Sequence, residues 1–344
     1  MIRSGAFFFL LLSCVACGTE NRFDVELSGV DRPDLKVQRM DRAVFEVNTD
    51  TADMAAHHIG LLNEYGDFYR LYYRKMLGEG SPAAPMAQVH LKGFIEDVNM
   101  TDVYEGVQKV YPNLDKEEER FEKAFQYYRY HFPDSSIPKE LIAYQGGFSY
   151  AIYPTDSSIG IGLEWFLGSD HRVTKRLPTS QFPQYKKDKM EPKYLVSEAL
   201  KGWLKFKRRG RARELETLLQ HMIFEGKLLY SMDAVMPNTP DSIKVKYSEQ
   251  EIRWVRKNEL RIWKTMVDKE VFFKKKTKLI RKLMKPAPFT HILPRESPGR
   301  VGQWLGWQMV RSYMKEHPNM PLERLLKIED ARRIFKSYKP EKAY

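Results

Sequence analysis

The sequence predicts an α+β fold, predominantly helical with one small sheet. Three observations carry this. Apolar residues recur at helical spacing over most of the chain before residue 132 and after residue 193. Between those stretches the period shortens to that of strands, punctuated by Gly147, Pro154 and Asp156. Hydrophobic residues make up 42% and aromatic residues 13% of the 344, enough for a sizeable core in one large domain or two small ones.

The first segment reads as an address. Arg3 is the only charge before Glu20, Ala6 to Val15 is almost wholly apolar, and polar sequence starts at Thr19. This is the pattern of a secretory signal. The apolar run is shorter than the roughly 20 residues that span a bilayer. Both cysteines of the chain, Cys14 and Cys17, fall at its end. A disulfide between them would brace nothing, and a redox or zinc CxxC normally belongs to a folded domain. The pattern instead predicts a lipoprotein signal whose cysteine is acylated after the cut, each buried methylene contributing about 0.8 kcal/mol to membrane attachment. "LLSC" favours Cys14, whereas the following "GTEN" suits a tether after Cys17. The expected organisation is a signal peptide over 1–16, a tether over 17–33 and a single globular domain over 34–344.

Taken in order, "DLKVQRMDRAVFEV" alternates enough to predict a strand ending near Phe45. "MAAHHIGLLNEYGDFYRLYYRKML" and "MAQVHLKGFIEDVNM" predict two helices around a loop over 78–85. Residues 102–132 add one or two more, with Asp115 as a cap and acids in the first turn. "ELIAYQGG", "FSYAIYP" and "SIGIGLEWFLG" read as adjacent strands of a small mixed sheet. After a Pro-rich loop over 177–192, helices are expected over 193–207, 211–231, 248–269 and 299–316, with a short one over 322–338. Ser248 and Glu251 fit a capping box.

The formal charge is +12, concentrated in "KGWLKFKRRGRAR" and "KKKTKLIRKLMK". Basic faces attract nucleic acid, anionic lipid or acidic partners. For an exported lipoprotein the nucleic-acid reading falls away, leaving an anionic membrane surface or an ordinary solvated face.

Few constellations point to chemistry. His221 and Glu225 stand four apart on a predicted helix and share a face, but catalytic zinc normally takes three protein ligands. The adjacent His57 and His58 point about 100° apart on a helix, which suits structural roles. HExxH, GxSxG and Walker motifs are absent, and Gly160-Ile161-Gly162 sits inside a strand pattern. The densest cluster is "APFTHILPRESPGRVGQWLGWQMVRSYM". Pro298, Gly299 and Arg300 read as a loop-to-helix junction. Gly302 and Gly306 permit close approach of another segment beside Trp304 and Trp307, forming a packing site or a cleft wall. Asn258 and Glu259 in "RKNELRIWKTMV" are placed on a neighbouring helix.

"HMIFEGKLLYSMDAVMP", "NELRIW", "IGIGLEWFLG" and the "PGR-x-G-x-W-x-G-W" helix resemble the gliding motility lipoprotein GldB family of Bacteroidetes, over nearly the whole mature chain. That family is in turn distantly similar to predicted zinc-dependent proteases. The resemblance implies a zincin-like metalloprotease scaffold lacking the HExxH metal site. Carried over, the edge strand is 158–168, Ser197 and Lys201 in "SEALK" stand where two His ligands would be, and Glu198 stands at the general base. Glu225 matches the third ligand. An ammonium has no acceptor for a cation, so Lys201 is expected to pair with Glu225 in the metal's place. No metal and no cofactor are expected.

The resemblance therefore implies a non-catalytic envelope lipoprotein supporting gliding motility. It would face the periplasm, since only Glu20 supplies acid near the lipidated cysteine. Its expected partners are the membrane through the N-terminal lipid, other envelope or gliding-machinery proteins and anionic lipid, with no nucleic acid. Two alternatives stand beside it: a metallopeptidase using His221, Glu225 and Glu198, and a peptidoglycan or lipid binder using the aromatics near Trp304 and Trp307.

Overall fold

Residues 22–340 are described by the structure, a computed structural model. The signal segment with Cys14 and Cys17 lies outside the described residues. A four-stranded mixed sheet forms the centre, in the order β1-β2-β4-β3. Its strands are β1 (Val37–Arg39), β2 (Glu140–Tyr144), β3 (Ile152–Pro154) and β4 (Ser158–Gly162). β1, β2 and β4 run parallel, and β3 pairs antiparallel with β4 at the edge. The strand expected over 158–168 is therefore interior, and it ends at Gly162 in a 3-10 turn, Leu163–Phe166. Pro154 suits the edge, since proline has no N–H to give a ladder.

Both faces of the sheet are covered, as parallel strands require. Leu141, Ala143, Ile159 and Ile161 enter the main core, while Ile142 and Tyr144 enter a second core with Phe68, Tyr69 and Tyr72. Gly160 reflects that second contact. A methyl group there would stand 2.4 Å from the Phe68 ring, so the helix carrying Phe68 sits directly on strand backbone.

The predicted strand to Phe45 is cut short. After Arg39 the chain becomes α1 (Met40–Phe45). Val37, Met40 and Val44 are buried, a spacing of three and four that belongs to a helix. Arg39 also grips Asp41 through two bonds of 2.8 and 2.7 Å. α2 (Met54–Leu71) runs into a π-helical turn, Tyr72–Met76. The next predicted helix is two, α3 (Ala87–Glu96) and α4 (Val98–Val110). Asp97 lies between them with extended backbone and accepts from the Asn99 and Met100 amides. Asp115 is the first residue of α5 (Asp115–His131) rather than its cap. The acids of α5 instead hold β1: Glu118 accepts the Val37 N–H at 2.9 Å and Glu122 the Leu35 N–H at 3.3 Å.

The segment expected as a tether is docked from residue 22 onward. Phe23 is buried, Arg22 donates to the Tyr230 hydroxyl at 3.1 Å, and Gln126 donates to the Val30 carbonyl at 2.8 Å. Its apolar side chains anchor it to the helical face.

α6 (Arg172–Arg176) precedes the Pro-rich region, and α7 (Gln184–Lys187) lies within it. Then come α8 (Leu195–Lys207), α9 (Arg209–Arg213) and α10 (Leu218–Val235). The helix expected over 211–231 breaks because Thr217 and Gln220 form a capping box that starts α10 afresh. α11 (Asp241–Val245) follows. The Ser248–Glu251 capping box is present at α12 (Glu249–Lys257), and Asn258 separates α12 from α13 (Glu259–Asp268). The chain closes with α14 (Thr277–Met284), α15 (Val301–Glu316), α16 (Leu322–Lys327) and α17 (Ala331–Lys336). α10 is buried nearly all round, and α15 is the helix packed most extensively against it.

Candidate functional site

α8 is amphipathic. Leu195, Val196, Ala199, Leu200, Trp203 and Leu204 are buried, and the helix lies against β3, β4 and α5. A separate stripe carries Glu198, Lys201 and Lys205, three and four residues apart and so neighbours on the surface. α10 brings Glu225 to that stripe. Lys201 Nζ stands 3.5 Å from Glu225 Oε2, and Lys205 donates to Glu225 Oε1. Lys201 also donates to Gln303 Oε1 at 2.8 Å, while Gln303 Nε2 donates to the Met284 carbonyl at 2.7 Å. Three helices and the end of α14 are thus tied through one lysine.

Glu198 points to a different cation. Lys246 at the left-handed end of α11 lies 2.8 Å from Glu198 Oε2. Ser197 faces away, its hydroxyl donating to the Tyr194 carbonyl at 3.0 Å. The Pro298-Gly299-Arg300 junction is pinned from three directions. Thr290 donates to the Pro298 carbonyl at 2.7 Å, Tyr247 to the Gly299 carbonyl at 2.7 Å, and Arg300 to the Lys246 carbonyl at 2.8 Å. Arg300 caps α15 with a φ of 61°.

Burial raises the pKa of Glu225, but Lys201 and Lys205 outweigh it and hold the carboxylate below its ordinary range. Burial likewise opposes ionisation of Glu198, and Lys246, Arg300 and Lys201 override it. Lys201 goes the other way. Burial lowers its pKa more than Glu225 restores, and Arg300 adds repulsion. The asymmetry is geometric: Glu225 has two ammonium partners, whereas Lys201 shares its one carboxylate.

Beside this network lies a cleft of about 790 Å³, lined by Glu225, His221, Lys205, Gln303, Arg281 and Lys285 among others. His221 shares it with Glu225, and burial lowers its pKa. Among the described residues no three His, Cys, Asp or Glu side chains are grouped so as to hold a metal ion. The arrangement holds opposite charges in contact: Glu225 with Lys201 and Lys205, and Glu198 with Lys246.

The remaining sequence candidates are scaffold positions. Trp304 and Trp307 are 1% and 0% exposed, so neither indole is offered to a ligand. Within α15, Gly306 packs against Met222 of α10 and Gly302 against Met284 and Leu283 of α14. Asn258 donates to the Trp254 carbonyl at 2.9 Å, and Glu259 accepts from the Tyr338 hydroxyl at 2.7 Å. Neither lines the cleft. His58 is buried between the Tyr69 hydroxyl and the Pro82 carbonyl.

A family model described as gliding motility protein GldB matches residues 20–340. The chain belongs to the GldB family. No curated protein and no solved structure matches it. Membership places it among gliding-motility-related envelope proteins. Among the described residues no helix is long and apolar enough to cross a membrane.

One acid of this GldB-family chain was not singled out by sequence. Glu164, just after β4, is 0% exposed. Its Oε1 accepts the Gly146 and Phe148 amides at 2.9 and 3.1 Å, and its Oε2 has no partner among the described residues. Burial raises its pKa to about 7 against those two bonds. A raised pKa stabilises the fold fully below the unfolded value, near 4.5, and that stability is lost as pH rises through about 7. Glu164→Gln should therefore remove a decline of about 3 kcal/mol between pH 5 and pH 8 that the parent shows. Urea denaturation of both proteins at the two pH values measures it; parallel profiles would contradict the assignment.

Proposed function

We propose that this GldB-family protein is a lipid-anchored, non-catalytic component of the gliding apparatus. Its α8–α10–α15 cleft serves as a charged binding surface on a peptidase-like scaffold. One observation carries the reading: the Lys201 ammonium sits between Glu225 at 3.5 Å and Gln303 at 2.8 Å. α8 packs against the antiparallel edge strand β3, whereas the protease resemblance put the edge strand at 158–168; what supports the reading is the approach of Glu225 on α10 to Lys201 on α8.

The residues present do not fit zinc. A zinc site needs lone pairs from several neutral or anionic ligands. Lys201 offers none, Ser197 is committed to the Tyr194 carbonyl, and Glu198 and Glu225 are already paired with lysines. No catalytic step follows from this donor set. One of the two N-terminal cysteines, Cys14 or Cys17, supplies the anchor, and neighbouring envelope or motility proteins are the partners of the cleft.

The test is a deletion strain scored for spreading colonies. Complementation with the parent, Lys201→His, Glu198→Ala and Glu198→Gln should restore spreading to the same extent at equal protein level. Gently purified protein should contain far less than one zinc per chain. Failure of both Glu198 variants alone, or stoichiometric zinc, overturns the non-catalytic reading.

A further inference from the structure

We propose that a second pocket, between α9, α10 and the α16–α17 linker, binds a phosphate group. The pocket encloses about 290 Å³, and Lys207, Arg208, Arg211 and Lys227 line it together with one carboxylate, Glu329. That carboxylate is 78% exposed, 3.9 Å from Arg211. The floor is apolar, with Ile223 and Leu326 among its residues.

The basic run 201–213 is thereby divided. Lys201 and Lys205 pair with Glu225, and Arg208 and Arg211 turn to this pocket. Lys227 lies in the middle of α10, a helix buried on nearly every side. It is 8% exposed, and its ammonium donates to the Ile328 carbonyl, a neutral group. Among the described residues neither Lys227 nor Arg208 forms an ion pair; Glu329 and Glu323 act on them only from beyond ion-pair distance. The Nε of Arg208 is buried and has no hydrogen-bond partner there. Arg211 leans on Glu214 at 2.6 Å.

A buried charge short of counter-charge is costly, and so is a buried donor with no acceptor. A compact polyanion answers both needs at once. A phosphate offers several acceptor oxygens and up to two negative charges, and guanidinium forks match its geometry. Burial, helped by Arg211 and Arg208 and only partly opposed by Glu329, holds the Lys227 pKa down to about 8. The site stands apart from the Lys201 network and does not depend on its role.

The phosphate could be free, as a soluble monoester, or the headgroup of a lipid at the membrane to which the chain is tethered. Calorimetric titration of the purified protein with inorganic phosphate and with a short-chain phosphatidic acid separates the two sources. Binding of both marks a general phosphate site; binding of the lipid analogue alone marks a headgroup site. Either result supports the proposal when Lys227→Met and Arg208→Gln each weaken binding tenfold or more and Lys275→Gln, in the first cleft, leaves it within twofold. Lys227→Met removes a buried charge and should fold at least as stably as the parent; Arg208→Gln gives an independent reading. Absence of binding to both probes, or equal weakening by all three variants, overturns the proposal.

Discussion

Gly306→Ala should destabilise the protein by at least about 3 kcal/mol, near the upper end of what overpacking does. α10 and α15 touch through their backbones. A methyl group on Gly306 would stand 2.0 Å from the Met222 carbonyl oxygen, and one on Gly226 would stand 2.3 Å from the Gly306 carbonyl oxygen. Ordinary helix pairs keep their axes 8–10 Å apart because side chains separate them. Here backbone meets backbone, so no rotamer change relieves the clash. The two helices must move apart, and α10 is packed on nearly every side. Two controls grade the effect. A methyl on Gly302 meets chiefly the flexible Met284 sulfur at 2.5 Å, so Gly302→Ala should cost less. Gly93 in α3 has nothing within 4 Å of the added carbon, so Gly93→Ala should stabilise by about 0.5–1 kcal/mol. Urea denaturation of the three variants gives the order. Gly306→Ala within 1 kcal/mol of the parent would sink the close-approach account.

The elements that sequence reasoning finds are those decided locally. The Ser248–Glu251 cap, the run at Glu140–Tyr144 and the long apolar helices need only neighbouring residues. Breaks decided by one cap side chain are missed when a helical pattern continues across them, as at Asp97 and Thr217. The segment after Arg39 fails for the opposite reason: six residues are too few for alternation and helical spacing to be told apart. The same division holds at the site. Lys201 and Glu225 lie on different helices, and nothing in either helix alone names the other. Resemblance placed them together, whereas periodicity could not. Glu164 and Asp233 carry a signal that was available, a lone acid in an otherwise apolar run, which is rarely buried without a partner. The partner's identity is not local, so the signal marks a position without assigning a role.

Asp233→Ala should cost about 3–5 kcal/mol, the range for breaking a buried ion pair from one side. Asp233 lies on α10 beyond the glycine contact, 7% exposed. It accepts from Trp307 Nε1 at 2.9 Å, from Arg311 at 2.9 and 2.8 Å and from Lys244 at 2.9 Å. Arg311 lies 3.7 Å from the Trp307 ring centroid and also bonds both oxygens of Asp241. Without Asp233, Arg311 keeps Asp241, so the damage falls on Lys244 and the Trp307 N–H. The Lys244 side chain is 4% exposed, and water cannot readily replace the carboxylate. Adding Lys244→Met should therefore recover at least about 1 kcal/mol of the Asp233→Ala loss, because it removes the stranded charge. Burial raises the Asp241 pKa, but Arg311 and Arg256 pull it below the ordinary aspartate value. Its contribution is present above about pH 4 and is lost as pH falls through the lower folded value. The parent should thus lose stability in acid below that point, and Arg311→Met should lose less over the same range. Strictly additive losses in the Asp233–Lys244 pair would show that the two charges are not coupled.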